Sequence, residues 1–275
     1  MTSAQKIIKY LALCLAAFLV FLIISSLLGV LFSVTKILGI QKDDGVIMDK
    51  MSTVNFKTDD ISSLDINLLF TNLIIKQGDT LYVETNNEKV HFDEENNSLK
   101  IKEDSRSWLS QNNKGDLILY LPENSQFKTV KIQAKAGKIQ IEYLKTDTLS
   151  LELGAGETSI QRLNVSENCK IESGAGKVSL LDGRITNLDL DLGVGKFELT
   201  SSLLGSNKIN AGIGSLELNL LGNKKDYLIK ADKGIGTIHV DEAVISDDST
   251  IGTGGNTIKI DGGIGNIDVS FRNKD

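Results

Sequence analysis

What constrains this chain most is a phrase that recurs along its C-terminal half: a strand, a glycine corner and a second strand. In residues 187–200, NLDLDLGVGKFELT, the apolar residues Leu188, Leu190, Leu192 and Val194 alternate, and after Gly195 the phase slips by one to Phe197 and Leu199. Alternation marks a strand with one buried face. A slip of one residue would turn that face outward unless the backbone turned with it. Gly195 therefore reads as a corner, where a missing Cβ permits positive φ or close backbone approach.

The same corner recurs at Gly137, Gly156, Gly176, Gly195, Gly214, Gly236 and Gly265, at intervals of 19, 20, 19, 19, 22 and 29 residues. Five residues before each corner stands Ile132, Leu151, Ile171, Leu190, Ile209, Ala231 or Ile260. Two residues after it stands Ile139, Thr158, Val178, Phe197, Leu216, Ile238 or Ile267. A period near twenty is the mark of a solenoid. One copy has a single apolar face that it cannot bury alone, and stacking copies in parallel makes one continuous core. An antiparallel meander would need hairpin turns such as Asn-Gly, and the repeats contain none. The residue before each corner glycine grows from Ala136, Ala155 and Ala175 through Val194 to Ile213, Ile235 and Ile264. That trend predicts a core that is narrower, or filled from the opposite wall, beside the early coils. An inserted loop around residues 246–253 accounts for the 29-residue interval.

Ahead of the repeats, residues 10–34 form a run of 25 without a charge. As a helix this is about 37 Å long, enough to cross a hydrocarbon core of about 30 Å. The run is too long for a cleaved signal peptide and no A-x-A-like site follows it. Leu13 before Cys14 also argues against a lipoprotein anchor. The expected organisation is a short tail (1–9), a transmembrane helix (10–34), a juxtamembrane linker (35–60), an irregular antiparallel β cap (61–130) and the glycine-cornered repeats (131–271). The fold class is all-β, a parallel β-solenoid with that cap, preceded by one transmembrane α-helix. The usual signal-anchor orientation gives a single-pass cell-membrane protein with its C-terminal domain extracytoplasmic.

Residues 116–144, DLILYLPENSQFKTVKIQAKAGKIQIEYL, carry a likeness to a known family. A strand ending in Leu121-Pro122, a polar spacer, Phe127, then Val130, Ile132 and a glycine-punctuated ladder resembles the DUF4097 family of bacterial candidate adhesins. The likeness spans about residues 60–271. It implies a β-strand-repeat solenoid of the kind found in envelope-associated proteins, and it offers no catalytic motif to carry over.

Charge narrows the partners. The chain carries −6 overall, and Lys6, Lys9, Lys36 and Lys42 against Asp43 and Asp44 leave residues 1–44 at +2 and the remainder at −8. An acidic body repels nucleic acid and anionic lipid. Aromatic residues make up 5%, too few for a base-stacking platform. Cys169, on the inward parity, reads as a small buried hydrophobe, and one cysteine outside the apolar run cannot form an internal disulfide.

No catalytic, cofactor-binding or metal site is assigned. His91 and His239 fall on outward strand positions without a nucleophile partner, and with Cys169 they lack zinc-ligand spacing. Residues 262–266, GGIGN, superficially match a calcium-binding nonapeptide, but Ile267 stands where that repeat needs aspartate. The most enzyme-like group is Asp189 and Asp191 on one strand, with Asp182 and Arg184 a segment earlier; two carboxylates about 7 Å apart could flank a glycosidic bond. The preferred reading is a non-catalytic, membrane-anchored module, adhesin-like or scaffolding, that binds an envelope glycan or a partner protein. The alternatives are a glycan-cleaving enzyme using Asp189 and Asp191, and a cytoplasm-facing docking or stress-response platform.

Overall fold

The computed structural model describes residues 51–56, 61–104, 115–241 and 243–272. The predicted membrane span 10–34 lies outside the described residues; among the described residues no helix is long and apolar enough to cross a membrane. Lys50–Asp275 is one compact unit, and every described core side chain and strand pair falls within it, so it carries its own core.

That unit is all-β. Its strands are β1 (Ser52–Asn55), β2 (Ser63–Leu68), β3 (Asn72–Gly78), β4 (Tyr82–Thr85), β5 (Val90–Glu95), β6 (Ser98–Glu103) and β7 (Asp116–Pro122). A long continuous ribbon follows as β8 (Phe127–Thr186) and β9 (Leu188–Leu204), then β10 (Ser206–Asn210) and β11 (Ile213–Leu221). After a single 3₁₀ turn at Lys224–Asp226 come β12 (Tyr227–Asp232), β13 (Ile235–Val240), β14 (Ala243–Val244), β15 (Ser249–Gly252), β16 (Asn256–Asp261) and β17 (Ile264–Arg272).

Each repeat lies in register and in parallel on a neighbouring repeat. Ile171 is opposite Leu190, Leu190 opposite Ile209 and Ile209 opposite Ile260, while Gly176, Gly195, Gly214 and Gly265 face one another in turn. The side chains five before the corner, from Ile132 to Ile260, form a fully buried row, and Val178, Phe197, Leu216 and Ile267 form another across the core. Each buried aliphatic contributes about 1.5–3 kcal/mol relative to exposure, so the rows hold the stack together.

The corners show why glycine recurs. Gly195 has φ +145°, and a Cβ there would lie 1.8 Å from the carbonyl oxygen of Gly176 on the neighbouring rung; at Gly193 it would lie 2.1 Å from that of Gly174. The backbone of one rung occupies the space a side chain would need on the next.

Sequence order and spatial order part company at both ends. β2 and β3 stack in parallel on the start of β8, with Ile66 opposite Ile132 and Leu73 opposite Ile139. β6 and β7 stack in parallel on the far side of β2 and β3. The expected antiparallel cap over 61–130 is thus corrected: among the described residues at this end, antiparallel pairing is confined to β1 with β4, β4 with β7 and β5 with β6. Of these, β5 and β6 form a hairpin closed by Asn96 and Asn97, both at positive φ, and β1 lies within the stretch expected to be linker. At the other end β16 and β17 sit between β10–β11 and β12–β13, so the last strands of the chain are interior ones. The 29-residue interval holds β14 and β15, which pair antiparallel with β13 and β12 in place of a loop around 246–253.

The β2–β3 rung turns without glycine. The backbone N–H groups of Leu69, Phe70 and Thr71 all donate to one carboxylate oxygen of the buried Glu103, at 2.7, 3.0 and 3.1 Å. A carboxylate from the neighbouring rung satisfies three corner donors at once.

Candidate functional site

Position −1, which lies between two glycines at six of the seven corners and between Lys135 and Gly137 at the first, continues the parity of Leu190 and Leu192, which suggested that it lines the core. It does not. The corner swings it to the convex side, leaving Val194 55%, Ile213 51%, Ile264 50% and Ile235 71% exposed. The expectation of a narrower or back-filled core beside the early repeats is therefore corrected: the growth from Ala to Ile happens on the surface.

These side chains stack. Ala175 is opposite Val194, Val194 opposite Ile213, Ile213 opposite Ile264 and Ile264 opposite Ile235. Ala155 and Ala136 precede them on the same corner, and Phe70, 43% exposed, occupies the equivalent place on the β2–β3 rung, where Ala136 N–H donates to Leu69 O at 2.9 Å. With a strand spacing of about 4.8 Å the eight positions run about 34 Å along the stack. A cleft beneath Val194, Ile213 and Ile264, walled by Phe197, Leu216 and Ile267, holds about 30 Å³. That is room for roughly two waters, far below the several hundred cubic ångströms of a small-molecule pocket.

Beside it lies an open groove of about 450 Å³, lined by Glu152, Glu172 and Asp191 on successive rungs with Lys135, Ser173 and glycine backbone. Asp191 faces this groove with Glu172 and Glu152, and Asp189 lies outside its lining. Each groove carboxylate is engaged. Glu152 accepts from Gln133 at 2.5 Å and pairs with Lys131 at 3.6 Å, Glu172 pairs with Lys170 at 2.5 Å, and Asp191 accepts from Asn210. The Gln133 hydrogen bond holds the Glu152 carboxyl below its ordinary value, opposite to what a general acid requires. Asp189 is flanked in register by Lys170 and Lys208, and the Lys170 ammonium is raised chiefly by Glu172, with Asp189 and Asp191 adding to it.

The other residues singled out in the sequence lie apart. His91 is exposed opposite Lys102 on β5. His239 places Nδ1 3.0 Å from Asp268 on the facing strand. Asp182 and Arg184 are exposed on β8. Gly262 and Gly263 belong to the last corner, against the backbone of Lys233 and Gly212. Cys169 is a buried free cysteine whose thiol burial pushes up to about 12. Among the described residues no group of three or more His, Cys, Asp or Glu side chains could hold a metal. For six of the eight ridge positions the signal was present in the sequence as an apolar residue between two glycines, with the direction of the corner missing; Phe70 and Ala136 carry no such mark.

The Toastrack DUF4097 family matches residues 61–255. No curated protein matches the chain. Among solved structures, a candidate cell adhesion protein from Clostridium sporogenes is 13% identical, covering 81% of this chain and 99% of its own, with a TM-score of 0.35. A candidate adhesin from Bacteroides fragilis is 13% identical over 82% of this chain and 97% of its own, TM-score 0.38. One from Parabacteroides distasonis is 14% identical over 80% and 97%, TM-score 0.38.

Proposed function

The chain belongs to the Toastrack DUF4097 family, and from that footing we propose that it is a non-catalytic, adhesin-like or scaffolding module whose apolar corner binds a cell-envelope component or a partner protein. The rungs are read as a parallel β-solenoid, a reading supported by in-register pairing one repeat apart and by buried rows that continue from rung to rung. Residues 10–34 are read as a single-pass anchor holding the domain outside the cytoplasm, supported by their length without charge.

The ridge carries the functional reading. Single exposed apolar side chains are ordinary, but a row of eight on one outward position is not, when the outward rows beside it are Lys, Glu, Asp, Ser, Thr, Asn and Gln. Such a strip presents on the order of 300 Å², the scale at which surface patches are often functional. Folding does not need it, since these side chains stay half exposed in the finished stack.

The test uses Lys50–Asp275 mixed with isolated bacterial wall material, reading co-sedimentation and released reducing sugar together. Saturable binding without sugar release is expected, weakened severalfold by Val194→Ser with Ile213→Ser at an unchanged melting temperature. Sugar release that is lost on changing Asp189 and Asp191 would replace this reading with glycan cleavage. Protease added to intact cells is expected to reach the domain; full protection would favour a cytoplasm-facing platform.

A further inference from the structure

Along the ridge, bulk and charge change together. At the alanine end, from Ala136 to Ala175, the residues within four positions of the corner balance acids against lysines: Glu152, Glu157 and Glu172 against Lys135, Lys138 and Lys177. At the branched end, from Val194 to Ile235, the same positions hold Asp191, Glu198, Glu217, Asp232, Asp261 and Asp268 against Lys196 and Lys233. A lysine row of Lys208, Lys259 and Lys230 begins only further out on the first wall; Lys259 pairs with Asp261 at 2.9 Å, Lys177 and Lys196 share Glu198, and His239 lies 3.0 Å from Asp268, so the acids still outnumber the cations near the corner. Large aliphatic side chains and excess carboxylates thus occupy the same end.

We propose that the Val194, Ile213, Ile264 and Ile235 end of the ridge docks a basic amphipathic segment of a partner protein, with apolar side chains on the ridge and lysines or arginines against the flanking carboxylates. This rests on the ridge being the binding surface. The four side chains extend about 14 Å along the stack, close to the roughly 16 Å of three helical turns, so one helix face can reach all of them. The carboxylates on both flanks supply charge complementarity that steers such a partner in and rejects acidic ones. A second copy of this chain would bring the same carboxylates against themselves, and the −8 borne by the residues after 44 opposes both self-association and an anionic lipid surface.

Lys50–Asp275 is titrated with a fluorescent synthetic peptide of leucine and lysine in helical period, with its leucine–glutamate counterpart, and with vesicles of phosphatidylglycerol or phosphatidylcholine. The lysine peptide binds, and added salt weakens it. Ile213→Ser with Ile264→Ser, or Glu217→Gln with Asp268→Asn, lowers its affinity about tenfold or more. The glutamate peptide and the vesicles do not bind. Circular dichroism and melting show that the surface variants remain folded. If the ridge variants abolish wall binding but the lysine peptide is ignored, or if the glutamate peptide or vesicles occupy the ridge, the basic partner is wrong and the ridge stands as a binding surface. A concentration-dependent dimer lost in the ridge variants overturns the proposal in favour of a second copy. If neither peptide nor wall binding responds to the ridge, this proposal and the reading beneath it both fall.

Discussion

At the scale of single residues, the stack depends on what is absent. Gly195 combines φ +145° with a carbonyl oxygen 1.8 Å from where its Cβ would be. Gly195→Ala therefore meets backbone strain of about 1–3 kcal/mol and a clash that only separating two rungs relieves. The expected loss is about 4 kcal/mol or more, read by urea denaturation of Lys50–Asp275. Gly255→Ala is the control, because nothing lies within 4 Å of its added Cβ, and it should stay within about 0.5 kcal/mol of the parent. Equal effects would mean that close packing at the corner does not set stability. That a glycine was needed at 195 could be read from the phase slip alone. That Val194 points outward could not: its parity matches Leu190, and the turn that reverses it lies in a φ value that sequence does not display.

At the scale of elements, the rungs were legible and their order was not. Hydrophobic parity is local, and it found the pairs of strands at Leu190–Phe197 and Ile209–Leu216 that are in fact buried. Which rung lies on which depends on long-range pairing, and β16–β17 fits between β10–β11 and β12–β13 because its apolar spacing matches both. The β2–β3 rung escaped notice for another reason: its corner is built with Glu103, 32 or more residues away in the chain, instead of glycine. Insertion has a consequence for truncation. A unit ending at Gly255 leaves β12 with only antiparallel β15 and β13 with only the two-residue pairing to β14. Limited proteolysis should cut it rapidly within 223–255, while a unit ending at Leu221 resists and still melts cooperatively. Protection of β12 and β13 in the longer fragment would show that they hold without β16 and β17.

At the scale of the whole folded unit, a stack of parallel strands has two open ends, and each is a template for pairing with another chain. Both are covered by antiparallel strands: β1, β4 and β5 at one end, and β14 and β15 at the other. β15 runs Ser249 to Gly252 along the outer edge of β12, where Ile251 meets Ile229. Removing residues 243–252 brings the interval between Gly236 and Gly265 from 29 to 19, the spacing of the regular repeats, so the remaining link suits a rung-to-rung connection. The parallel strands can then still stack, but whichever pair ends outermost has a bare edge of N–H and C=O groups. Sedimentation velocity across a concentration series should show this variant forming end-to-end oligomers with unchanged β-sheet circular dichroism, while the parent stays a single species. The ridge runs along the stack and leaves the ends free, so Ile213→Ser with Ile264→Ser should leave that association intact. A deletion variant that remains monomeric with its sheet content preserved would show that the hairpin is dispensable as a barrier, and that the charge of the unit alone keeps its ends apart.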